Sequence, residues 1–382
     1  MPNQEVINMS NTSNKNTGSC RYLSMISSFF FICLSIPLLS QKPGSLDIKI
    51  GQMIMVGFPG QEVKKNDPTL QEIKDGKVGG VVLFEKNIKA KNSYTQLKQL
   101  NWALQSAAQQ PLFIALDHEG GKVNRLKEKY KFPKTVSAKY LGEVGSLDSV
   151  RFYGEIYAST LAGLGFNVNF APVVDLSINK NNPVIHKIER SYTDDPGVMT
   201  LFAQEMIKAH DRFHVVSVVK HFPGHGSSHA DTHLGIADVT DYWQSKEIEP
   251  YKNLIDRGQV KAVMTAHIVN KRLDTLGLPG TLSHPIVTGL LREKLGFDGV
   301  VFSDDMQMHA ITKYYGLEKA IKLSIQAGVD VLIFSNNIPA SKERTVDAVH
   351  RIIKALVESG EITTDRIDQS YRRVIKLKSW MN

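Results

Sequence analysis

From Ile50 onward the chain alternates short apolar runs with longer amphipathic ones, and this alternation restricts the fold more than any other feature. Eight runs have strand character: QMIMVGF at 52–58, GGVVLFE at 79–85, LFIALD at 112–117, FNVNFAPVVD at 166–175, VVSVVKH at 215–221, KAVMTAH at 261–267, GVVFSDD at 299–305 and DVLIFSN at 330–336. Nearly continuous apolar runs suit strands covered on both faces, as in a parallel sheet flanked by helices. Between them lie stretches of helical period, among them YTQLKQLNWALQSAAQ, TLFAQEMIKAHDRF, HPIVTGLLREKL and LEKAIKLSIQAG, the last stopped by Gly328. Repeated strand and helix units of this number predict α/β architecture, a single (β/α)8 TIM barrel over residues 46–379. A closing helix from Thr364 to about Lys378 is expected to pack on its outside, and nothing remains to build a second domain.

A parallel barrel gathers the C-terminal ends of its strands on one rim, where such folds place their chemistry. Seven of the eight runs end at a polar or titratable side chain. Punctuation by charge explains one or two such endings. It does not explain Asp117, Asp175, His221, His267 and Asp304 together.

The segment ahead of the barrel, residues 1–41, has a different character. Residues 1–20 are rich in Asn, Ser and Thr, Arg21 follows, and 23–39 (LSMISSFFFICLSIPLL) is apolar and uncharged before a polar SQKPGS. That order resembles a secretory signal with a long front end, so export to the periplasm or medium is expected, with a retained membrane anchor over 23–39 as the alternative. Pro37 would break the last turn of a spanning helix. Phe30, Phe31 and Ile32 are too large for a lipoprotein cleavage site before Cys33. The only cysteines are Cys20 and Cys33, so the barrel itself has no thiolate ligand. The 46 basic and 38 acidic residues give a net charge of +8 without a long basic run, which points to an ordinary soluble surface and no nucleic-acid partner.

After the fifth strand comes KHFPGHGSSHADTH, residues 220–233, with His221, His225, His229 and His233 spaced by four. On a helix they would stack as a zinc site, but Pro223, Gly224 and Gly226 interrupt the first half, so the segment reads as a long glycine-hinged loop. Its productive feature is Asp231-Thr232-His233. An imidazole titrates near roughly pH 6.5, and a carboxylate beside it can fix its tautomer and stabilise the imidazolium, which suits proton donation and recovery at neutral pH.

Together with IGQMIMVGF, GGVVLFEKNI, LDHEGGKVNRL, LGFNVNFAPVVDL, ERSYTDDP, VMTAH, LGFDGVVFSDDM and RIDQSYRRVIKLK, this loop resembles the single-domain β-N-acetylhexosaminidases of glycoside hydrolase family 3, over about residues 46–379. The resemblance implies that Asp304 is the nucleophile, with Asp231 and His233 as the acid/base pair. It further implies that Asp117, Arg125, Arg190, Lys220 and His221 bind the sugar, with the three cations helping to keep Asp304 ionised. The neighbouring Asp305 is set aside because alternation along a strand turns only one of the pair inward. His118 and Lys122 stand where the family often has Gln and Arg, and the stretch before Arg190 is longer than common. The implied activity is retaining release of terminal β-linked N-acetylglucosamine from peptidoglycan fragments or chitooligosaccharides, with no cofactor and no metal. A β-glucosidase or β-xylosidase of the same family, a phosphorylase, a metallohydrolase built on the histidine loop and a non-catalytic wall-binding protein are the competing readings.

Overall fold

All eight apolar runs become strands of one closed parallel barrel. In the computed structural model, which describes residues 45–232, 235–337 and 344–381, they are β1 (Ile54–Gly57), β2 (Gly80–Val82), β3 (Phe113–Leu116), β4 (Val168–Asn169), β5 (Val216–Phe222), β6 (Ala262–Thr265), β7 (Val300–Asp305) and β8 (Val331–Phe334). Each strand pairs with its sequence neighbours, and β1 pairs with β8 to close the ring. The strand at 166–175 is the one that shortens most. Pro172 has no N–H to give to a ladder, so regular pairing stops at Asn169 and resumes as a single bridge between Val173 and Lys220.

Alternate strand residues fill the barrel. Met55, Val82, Phe113, Ala115, Val168, Val216, Val218, Ala262, Met264, Val300, Phe302, Val331 and Ile333 form one apolar cluster, and the Phe113 and Phe302 rings meet edge to face at 5.6 Å. Residues of the opposite parity, such as Ile54, Val81, Ile114, Val219, Val263, Val301 and Leu332, join the larger core beneath the helices. Burial of both parities is what the continuous apolar runs require.

The outer layer follows the strands in order: α2 (Pro68–Lys74), α3 (Ser93–Ala107), α5 (Leu147–Leu164), α6 (Pro196–Asp211), α7 (Glu249–Asp256), a π-helical segment (Pro285–Lys294), α9 (Leu317–Ala327) and α10 (Thr345–Glu358). Short helices α1 (Leu46–Gln52), α4 (Ala138–Val144) and α8 (His309–Tyr315) are additions to that scheme. Local signals set the boundaries. Asp195 accepts the Val198 N–H ahead of Pro196 at the start of α6, and α5 ends on Gly165 in the left-handed region (φ 85°).

The closing helix, α11 (Thr364–Trp380), departs from expectation. Its last turns do not lie on the outside of the helical layer: Val374 and Leu377 join the barrel-interior cluster. Lys378, 1% exposed, donates to Gln52 Oε1 and to the carbonyl of Gly79, both at 2.7 Å, with its ammonium 4.6 Å from the Phe113 ring centroid. These groups sit at or just before the starts of β1, β2 and β3, so α11 plugs the bottom of the barrel, opposite the chemical rim. The apolar stretch 23–39 lies outside the described residues, and among those described no helix is long and apolar enough to cross a membrane.

Candidate active site

At the top of β3 the chain continues as Asp117, then a tight hairpin in which 118–120 pairs antiparallel with 123–124. Gly120 and Gly121 make the turn with φ of 93° and 56°. A Cβ on Gly120 would lie 2.2 Å from the Val136 carbonyl oxygen, so no other residue fits. The hairpin presents Asp117 and Glu119 to one cluster of cations. Lys220 Nζ, from the end of β5, contacts Asp117 Oδ1 at 2.9 Å and Glu119 Oε1 at 2.7 Å. Arg125 donates to Asp117 Oδ2 at 2.9 Å. Arg190 grips Glu119 with both ends of its guanidinium, at 2.8 and 2.7 Å.

Such a bidentate pair fixes orientation as well as charge. Burial alone would raise the Asp117 carboxyl, but Lys220 and then Arg125 override it and hold it well below the usual carboxylate range. The same contest, with Arg190 and then Lys220 against burial, keeps Glu119 below its ordinary value. Both therefore stay ionised and act as acceptors only. The three cations are thus engaged by Asp117 and Glu119.

His221 is held by Asp175, a fully buried residue at the end of the 166–175 run. Its Nδ1 donates to Asp175 Oδ2 at 2.6 Å, so the lone pair on Nε2 faces Arg190, whose Nη2 is 3.2 Å away. The other Asp175 oxygen accepts the backbone N–H groups of His221 and His225. Asp175 therefore ties together the strand end and the root of the histidine loop.

Asp304 and Asp305 lie at the end of β7, where the register against β8 shifts between Phe302 and Asp305. Simple alternation fails across such a bulge, so contacts must separate the two carboxylates. Asp305 is occupied: it accepts the backbone N–H groups of Gln307 and Ser335, both at 3.1 Å, and the Ser335 hydroxyl. It laces β7 to β8. Asp304 accepts the N–H of Asp305 through Oδ1 at 2.7 Å. His267, from the end of β6, braces the same point by donating Nε2–H to the Asp305 carbonyl at 3.0 Å while Nδ1 faces Thr281 Oγ1 at 2.8 Å.

The segment from Pro223 to Thr232 is a loop, as Pro223, Gly224 and Gly226 dictate. Asp231 is half-buried near its far end, and His233 lies outside the described residues. His225 is buried with neither ring nitrogen hydrogen-bonded, and burial pushes it down to about 4, which keeps it neutral. Among the described residues no group of three His, Cys, Asp or Glu side chains is arranged to hold a metal ion. His118, where the family often has Gln, turns away from the cluster and packs edge to face on Tyr157 at 5.1 Å. Lys122 stays at the surface and donates to the Lys187 carbonyl.

Sequence reasoning missed two functional side chains, Glu119 and Asp175. Glu119 had a signal, because residues two apart in an extended segment share a face with Asp117. Asp175 was visible as a strand ending without a role. A cavity of about 380 Å³ at the opposite end, between α7 and α11, carries no such chemistry, since its Lys261 and Arg373 are paired with Asp211 and Asp298.

Comparison with known proteins agrees with this geometry. Residues 45–377 match the family described as Glycosyl hydrolase family 3 N terminal domain. The chain is 32% identical over 382 residues to Beta-hexosaminidase A of Pseudoalteromonas piscicida, a match covering 89% of this chain and 62% of that protein. It is 34% identical over 290 residues to Beta-hexosaminidase of Xylella fastidiosa, covering 74% of this chain and 82% of the relative. The structure of a glycoside hydrolase family 3 beta-N-acetylglucosaminidase from Paenibacillus sp. FPU-7 superposes with a TM-score of 0.80 at 34% identity, over 88% of this chain and 63% of that one. The chain therefore spans less than two thirds of the length of the first and third of these relatives. With the barrel, the strand-end carboxylates and the family match in agreement, the chain belongs to glycosyl hydrolase family 3.

Proposed function

We propose that the protein is a retaining exo-β-N-acetylhexosaminidase acting on terminal β-linked N-acetylglucosamine. The observation that carries this reading is the prearranged rim of Asp117, Glu119, Arg125, Arg190, Lys220 and His221, whose charges are paired before any sugar arrives. Preorganised polar groups of this kind bind a sugar ring without reorganising during reaction. The names of the relatives favour an acetamido group at C2 over a hydroxyl.

In the proposed mechanism Asp304 attacks C1 as the bond from C1 to the leaving oxygen breaks, and His233, oriented by Asp231, gives that oxygen its proton. The product of this step is a glycosyl ester on Asp304. Water then gives a proton back to His233 and attacks C1, releasing the sugar with retained configuration and restoring the carboxylate. Lacing of Asp305 to Ser335 supports Asp304 as the nucleophile, because Asp305 has its oxygens committed. Peptidoglycan fragments or chitooligosaccharides are the substrates this chemistry suits, and the signal-like residues 1–41 favour action outside the cytoplasm.

Hydrolysis of p-nitrophenyl β-N-acetylglucosaminide and the matching glucoside, with and without EDTA, tests the reading. Chelator-resistant preference for the acetamido substrate is expected. Preference for the glucoside moves the protein to the neighbouring branch of the family, and loss of activity with EDTA, restored by zinc, contradicts the metal-free mechanism.

A further inference from the structure

The loop that carries Asp231 and His233 is rooted on a second buried carboxylate that the mechanism does not use. Glu247 sits on the short turn Ser245–Ile248 just ahead of α7 and is 1% exposed. Its Oε2 accepts the backbone N–H groups of Gly226 at 3.0 Å and Ser227 at 3.3 Å, and Oε1 accepts that of Gln244 at 3.1 Å. Asp175 takes the N–H of His225 at 2.7 Å. Three consecutive loop amides, 225 to 227, are therefore pinned by two carboxylates.

The rest of the root is equally fixed. Trp243 Nε1 donates to the Pro223 carbonyl at 3.1 Å, and Asn182 Nδ2 donates to the carbonyls of His225 and Gly226. Two glycines make the close approach possible. A Cβ on Gly224 would lie 2.7 Å from the Cβ of Glu247, and one on Gly226 would lie 1.8 Å from the Leu176 carbonyl oxygen. Asp231 follows Ser227 by only four positions.

Glu247 makes no ion pair among the described residues, and its hydrogen bonds come from amides. Burial pushes its carboxyl up to about 7, with Asp175 across the loop root adding to the effect. A carboxylate kept in so dry a place without a cation is a poor stabiliser. Its two bonds to the loop fall beyond Pro223, on the arm leading to the dyad, while Lys220 and His221 have their own partners. Its service is to the loop and not to sugar binding.

We propose that Glu247 is a positioning residue that sets the acid/base loop for proton transfer to and from the glycosidic oxygen. This rests on the assignment of Asp231 and His233 as the acid/base pair. Replacing Glu247 by Gln keeps the shape but sets an NH2 donor against either the Gly226 and Ser227 N–H groups or that of Gln244, so the clasp joining the loop to its turn loses an acceptor while the rim around Asp117 is untouched.

The test compares leaving groups. The full chain and Glu247→Gln are assayed on 4-methoxyphenyl and 2,4-dinitrophenyl β-N-acetylglucosaminides, since the second needs no acid to depart. The variant is expected to lose about 10- to 100-fold in kcat/KM on the first substrate and less than about 3-fold on the second, in keeping with the size of general-acid effects. Azide should raise kcat of the variant on the second substrate by bypassing the lost base. Glu247→Asp, which keeps the acceptor, should recover part of the loss, and it carries the same comparison if the Gln variant fails to fold. Equal losses on both substrates, or no loss on either, overturn the proposal. Aryl glucosides run alongside separate this inference from the activity reading: a wild type that prefers them overturns the aminosugar assignment, while the leaving-group ratio measured on them still decides the role of Glu247.

Discussion

Removing Glu119 from the rim leaves Arg190 without its carboxylate and Lys220 with Asp117 alone. Glu119 pairs with both Lys220 and Arg190, whose side chains are 2% and 13% exposed, so Glu119→Gln strands buried positive charge. Breaking a buried pair in this way costs about 3 kcal/mol or more. Urea unfolding should show that loss, accompanied by a KM raised about tenfold or more as Arg190 and Lys220 reorient. A variant with wild-type stability and KM would mean that Glu119 is incidental. At this scale the sequence exposed residue types but not their partners. Asp304, Asp231 and the sugar-binding set could be named from motifs, and Asp117, Lys220, Arg125, Arg190 and His221 do converge. Which cation answers which carboxylate depends on where the 117–125 hairpin and the loop before Arg190 fold, and no period encodes that. Alternation likewise cannot separate Asp304 from Asp305, because the two-residue period ceases to hold at the bulge in β7.

Secondary elements were the most legible level, because burial on both faces leaves a strand no polar positions until its end. All eight strands and the principal helices lie where periodicity put them. Proline accounts for the short β4, and α11 accounts for the chief departure. RVIKLK reads as an amphipathic helix, and nothing local says that Lys378 goes inward under the barrel. Burial pulls the Lys378 ammonium down from 10.5 to about 7. Between those values the unfolded chain holds a proton that the folded chain has shed, so folding stability gains with rising pH, by up to about 1.4 kcal/mol per unit. Below about pH 7 both states are protonated and the cost of burying the charge is fully present. Lys378→Met keeps the bulk of the plug and removes this titration. The wild-type minus variant difference in unfolding free energy should therefore grow between pH 7 and 10, whereas parallel curves would place the Lys378 ammonium in contact with water.

For the whole molecule, a barrel closed below by α11 and lined above by paired charges leaves one end for chemistry. Strand number and strand endings made that end visible in the sequence; the two devices rooting the histidine loop, Asp175 and Glu247, come from distant segments and were not. If the rim is the seat of retaining hydrolysis, a covalent sugar must form on one named carboxylate. Incubation with a 5-fluoro N-acetylglucosaminyl fluoride, followed by peptide mass spectrometry, examines this directly. A sugar mass on the peptide carrying FSDDM, located at Asp304 and absent from Asp304→Asn, is the expected result. A label on another residue, or turnover without any adduct and with inverted product, would contradict the assignment of Asp304 as the nucleophile.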